Sequence, residues 1–76
     1  MFTAPEIKKL MNKQPFTPFR IHMSDGSSHE VSNHDAALVF RNFVEVGINP
    51  DPDGVLETAV RCALLHLSRI EDLQPA

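Results

Sequence analysis

The spacing of apolar and polar positions changes several times along this 76-residue chain, and each change marks an element. Ile7, Leu10 and Met11 recur three and four apart, the period of one helix face. Ala4-Pro5-Glu6 opens that helix: proline suits the first turn, where its missing N–H is not needed, and Glu6 suits the positive end of the helix dipole. Thr3 is the expected N-cap. Pro15 stops the helix, which gives it an expected span of 4–14. Phe16-Thr17-Pro18-Phe19 follows as an extended linker, because each proline disfavours helical backbone in the residue before it. Phe16 and Phe19 are expected to pin the helix to the body rather than to stack on nucleic-acid bases.

From Phe19 the period drops to two. Residues 19–24 and 28–32 flank Asp25-Gly26-Ser27, a hairpin signal. A two-residue loop of Asp25-Gly26 would set Ile21 opposite Glu30 and place an acid on the apolar face. A three-residue loop over 25–27 instead sets Met23 opposite His29, Ile21 opposite Val31 and His22 opposite Glu30, and is preferred. Phe19, Ile21, Met23 and Val31 then line the core, while Arg20, His22 and Glu30 form a solvated strip. Asn33-His34-Asp35 supplies capping and turn residues ahead of Ala36-Ala37-Leu38, so a single helical turn is expected there. Residues 43–48 read as a strand with Val44, Val46 and Ile48 on one face, and residues 49–54, rich in Asn, Pro, Asp and Gly, read as a loop.

Residues 55–70 fit two patterns. Leu56, Ala59, Val60, Ala63, Leu64 and Leu67 match a helical stripe. Leu56, Thr58, Val60 and Cys62 also alternate with Glu57 and Arg61, as a strand returning from the loop would. The fold class is therefore mainly β with one N-terminal helix, or α+β if residues 55–70 form a C-terminal helix.

Size and charge narrow the function classes. A chain this short forms one domain over 1–76 and buries only about 60–65% of its unfolded surface, so its stability is marginal without help. Cys62 is the single cysteine, which excludes an internal disulfide and fits a reducing, cytoplasmic setting. Self-association is the expected aid. Ten acidic against seven basic side chains give a formal charge of −3 with the cations spread out, which argues against broad phosphate-backbone binding. The N-terminus lacks the basic start and apolar run of a signal peptide, and no stretch approaches the ~20 apolar residues of a membrane span.

The order of a short helix, a strand ending in Asp-Gly, a bend, a strand, a variable loop and a final pair of strands resembles the Sm-like barrel, an SH3-like small barrel. The Hfq branch is the nearest likeness. The residues that carry it are Arg20-Ile21-His22-Met23-Ser24-Asp25-Gly26, His34-Asp35 and Leu65-His66-Leu67-Ser68. Pro15-Phe16-Thr17-Pro18-Phe19-Arg20-Ile21, with the same Asp25-Gly26 and Leu65-His66-Leu67, is also similar to a set of small uncharacterised bacterial proteins, which implies no function. The barrel would occupy residues 19–73 and place two strands in 55–70 with a tight bend near residues 63–66. In the Hfq-like pattern a Lys-His pair at that bend contacts uridine-rich RNA. His66 matches the histidine, Leu65 stands in place of the lysine, and the Arg-Gly pair of other Sm proteins is missing. The resemblance thus implies a homo-oligomeric ring more strongly than RNA binding, for which His66, Arg69 and Asp35 are the candidate contacts.

Other chemistry finds less support in the residues. His22, His29, His34 and His66 fall in no metal-ligand spacing. Asp51, Asp53 and Gly54 resemble the start of a calcium loop, yet Cys62 stands where the bidentate acid would be needed. His34-Asp35 could orient a general base, but no nucleophile or closed site accompanies it. Cys62 is most simply a small core residue. The expectation is a non-enzymatic module with no cofactor and no metal.

Overall fold

The computed structural model describes residues 1–49 and 51–73. Helix α1 spans Ala4–Met11 and begins with a reciprocal cap: the Thr3 hydroxyl accepts the Glu6 N–H, and the Glu6 carboxylate accepts the Thr3 N–H at 3.0 Å. It ends three residues before the expected position 14. The Asn12 N–H bonds back to the Lys8 and Leu10 carbonyls, and the segment up to Pro15 turns away so that Phe16 and Phe19 can reach the core. Their rings meet with centroids 6.1 Å apart, and Phe19 is 1% exposed.

The body is two three-stranded antiparallel sheets. Strands β1 (Phe19–Met23), β2 (Ser28–Val31) and β6 (Leu67–Asp72) form the first, in the order β2-β1-β6. Strands β3 (Ala37–Val39), β4 (Phe43–Ile48) and β5 (Thr58–Ala63) form the second, in the order β3-β4-β5. Among the described residues no ladder joins the two sheets into a closed barrel. A 3-10 turn, Leu64–His66, carries β5 into β6 and is tied down from both sides: the Ser24 N–H donates to the His66 carbonyl at 2.7 Å, and the Leu64 N–H to the Asn42 carbonyl at 3.0 Å.

The inner faces of the sheets and one side of α1 enclose a single core. Ile7, Ile21, Val31, Val44 and Val46 are fully buried, Cys62 is 1% exposed, and Met11, Leu64 and Leu67 close the rim. Burying each such aliphatic side chain contributes about 1.5–3 kcal/mol, which is the main force holding these short strands together. No helix is long and apolar enough to cross a membrane.

Two further local expectations are corrected. The hairpin loop has three residues, but they are Ser24-Asp25-Gly26, not 25–27: the Met23 N–H donates to the Ser27 carbonyl at 2.8 Å and the Gly26 N–H to the Met23 carbonyl. This loop type needs its last residue at positive φ, and Gly26, at 93°, meets that need better than Ser27 would. Asp25 locks the turn by accepting the Ser27 N–H at 2.9 Å and hydroxyl at 2.6 Å. The register moves by two residues, which preserves the faces: Phe19 opposes Val31, Arg20 opposes Glu30 and Ile21 opposes His29.

The helical turn expected at Ala36-Ala37-Leu38 does not form: β3 begins at Ala37, entered through a turn in which the Asn33 side chain accepts the Asp35 N–H and its carbonyl accepts the Ala36 N–H. The two strands and tight bend near residues 63–66 expected within 55–70 are present as β5, the 3-10 turn and β6, and the alternative C-terminal helix does not form. Val60 and Cys62 would lie about 200° apart around a helix, whereas in β5 they share the inner face, opposite Val46 and Val44. Pairing along the whole length of β4 outweighs the helical stripe.

Candidate interaction site

The residues implied by the resemblance occupy two separate parts of the fold. Asp35 lies in the turn between β2 and β3, where its carboxylate is 3.4 Å from His34 Nε2. Both side chains are largely in solvent, at 84% and 69% exposure, so the pair has no closed site in which to orient a base. Asp35 also lines a groove of about 450 Å³ between that turn and the loop after β4, together with His29, Glu30 and Asp51. His66 and Arg69 are exposed at and beyond the 3-10 turn, and neither lines this groove. Asp35 and His66 are thus not brought together within one chain.

The loop after β4 is held by Asp51, whose carboxylate accepts the Asp53 N–H at 3.0 Å and the Val55 N–H at 2.8 Å. Gly54 takes a positive φ of 81°. The Asp51 carboxylate thus bonds the loop's own backbone, as in an Asx turn. Pro50 lies outside the described residues. Among the described residues no three His, Cys, Asp or Glu side chains converge to hold a metal ion.

The solvated strip on the first sheet is an ion-pair chain. Arg20 Nη2 stands 3.3 Å from Glu30 on β2, and Arg20 Nη1 stands 3.6 Å from Glu71 on β6. His22 Nε2 lies 2.9 Å from the same Glu71 oxygen. The histidine contact, with lesser help from Arg20 and Arg69, holds the Glu71 carboxyl below its ordinary range. His22 therefore partners Glu71, not the Glu30 of the expected hairpin register. Between β1 and β6 the register shifts after His22, and Ser68 fills the gap by donating its hydroxyl to the His22 carbonyl at 2.9 Å.

The least expected surface is the outer face of the second sheet. Leu38, Glu45 and Arg61 lie in one row across β3, β4 and β5. Leu38 is 65% exposed and adjoins other apolar groups on this face. Phe40 and Phe43, at the two ends of the β3–β4 turn, stack with centroids 4.5 Å apart, and the Arg61 guanidinium lies 4.4 Å from the Phe43 ring centre. Leu56 covers Gly47, and a hollow bounded by Leu38, Glu45, Gly47 and Ala59 lies alongside. The sequence does carry a signal for this face. Ala37-Leu38-Val39-Phe40 is an unbroken apolar run, which read as a strand puts apolar groups on both sides of the sheet. Treating residues 36–38 as a helical turn hides it.

Cys62 faces inward from β5, and burial pushes its thiol above the ordinary range, which makes it a packing group rather than a nucleophile. Comparison of the chain with protein-family models, with curated proteins and with solved structures returns no match.

Proposed function

We propose that the protein is a non-enzymatic structural or interaction module of Sm-like type that assembles with copies of itself. The observation that carries this reading is the openness of the sheets. Among the described residues β2 and β6 in the first sheet, and β3 and β5 in the second, each pair on one side only. Open edges are templates for further strand addition, and β5 and β6, six residues each, carry no proline to blunt them. Support for the Sm-like form comes from the connection itself: a tight 3-10 turn links the last two strands, and β6 returns to pair with β1. Added pairing would also strengthen a core this small. The lone, buried Cys62 suits a reducing compartment, and we place the protein in the cytoplasm on that ground.

Backbone amide exchange tests this reading. In a strand paired on one side, alternate N–H groups point to solvent and exchange at once, whereas pairing on both sides protects all of them. Protection of every amide in Thr58–Ala63 is the expected result. An alternating pattern in both β5 and β6 would overturn edge pairing.

RNA binding is the second reading, and the exposed position of His66 at the β5–β6 bend favours it. In a ring, His66, Arg69 and Asp35 from different copies could line a common opening. Affinity for uridine-rich RNA that falls on His66→Ala is its signature, and absence of affinity at low salt would remove it.

A further inference from the structure

We infer that the outer face of the β3-β4-β5 sheet packs against the same face of a second copy across a two-fold axis that runs along the strands between β4 and β5. The inference deepens the self-assembly reading, and rests on it, by naming a surface distinct from the strand edges. It comes from the register. On this face Phe43 stands beside Ala63, Glu45 beside Arg61, and Gly47 beside Ala59. A two-fold axis between the strands lays each member of such a pair over the other member from the partner copy, which is the self-complementarity an isologous contact requires.

Each pair is matched for that exchange. Phe43 would lie over the partner's alanine, a large group over a small one. The Glu45 carboxylate would lie over the partner's arginine, opposite charges over each other. The Leu56 side chain that caps Gly47 would meet the partner's other alanine, again large over small. The existing Arg61–Glu45 contact, at 3.6 Å and with Arg61 67% exposed, leaves most guanidinium donors free for a second carboxylate. Leu38 stands one strand further out on the same row, where it would close over the partner's β5. Glu45 and Arg61 are the charged pair at the centre of this face, and Asp35 and Glu57 border the hollow at its end, so the self-complementary contact rests on the central pair.

The test is absolute mass in solution by light scattering on the full chain and on four variants, with circular dichroism confirming that each is folded. Arg61→Glu or Glu45→Arg alone sets like charges across the axis and should lower the mass about twofold, and the Glu45→Arg/Arg61→Glu double variant should restore it. Ala59→Arg, at an exposed position away from the core, fills a recess without changing the Glu45–Arg61 pair and should also halve the mass. Unchanged mass in Arg61→Glu and Ala59→Arg would overturn this interface while leaving edge pairing standing. A wild-type chain that is monomeric throughout would overturn both, and would assign the face to a different partner.

Discussion

Leu56 occupies the space that a β-carbon on Gly47 would take: its Cγ stands 3.0 Å from that point and its methyl groups stand nearer. The absence of a side chain at position 47 is what lets the chain fold back after the 49–54 loop and lay Leu56 on the outer face of β4. Gly47→Ala must therefore displace Leu56. Because Leu56 is 39% exposed, its end can swing outward, and the expected cost is about 1 kcal/mol. In a Leu56→Ala background the same substitution should cost little or nothing, a coupling that urea denaturation of the four proteins measures directly. Equal costs in both backgrounds would mean that the contact is not made.

Ile7 is fully buried and is the anchor of α1 on the core. Ile7→Ala should destabilise the fold by about 2–5 kcal/mol, a large share of what a domain this small possesses. Leu10, only partly buried against the same core, should cost clearly less. Thermal or chemical unfolding of the two variants checks the order, and a larger loss at Leu10 would contradict the placement of the helix.

Much of this architecture can be read from the chain before any coordinates. The Thr3 N-cap, the shared face of Val44 and Val46, and the loop around Asp51 follow from local chemistry, and local chemistry decides them in the structure too. The choice between helix and strand in residues 55–70 is not local. It depends on β4 offering partners from Phe43 to Ile48, which no window around Val60 contains. The hairpin loop failed by one residue because two glycine placements were compatible with the alternation, and only the positive φ at Gly26 separates them. The candidate contacts taken from the resemblance are surface groups, so no burial pattern could have located them relative to one another.

Acid should loosen the first sheet. The contact with His22 lowers the Glu71 pKa in the folded chain, so the folded state binds that proton less readily than the unfolded state does. The associated stability is present at neutral pH, begins to fade as pH drops below the ordinary glutamate value of about 4.3, and is gone below the folded value. Asp25, lowered by its bonds from Ser27, acts in the same direction. Glu71→Gln should flatten the acid limb of stability against pH. An unchanged limb would show that the His22–Glu71 bond contributes nothing in solution.

Cys62 should be silent toward a maleimide in the native protein and react once the chain unfolds, because it is 1% exposed and burial disfavours its thiolate. Labelling followed by mass spectrometry, with and without urea, gives the comparison. Native labelling as fast as that of the unfolded chain would contradict the inward register of β5.

Self-association is the central claim, and the most direct test is the absolute mass of the wild-type protein by light scattering on a sizing column over a wide range of concentrations. An assembly whose mass is a multiple of the 8.5 kDa chain, persisting on dilution, is the predicted result. A mass of 8.5 kDa at every concentration would contradict it.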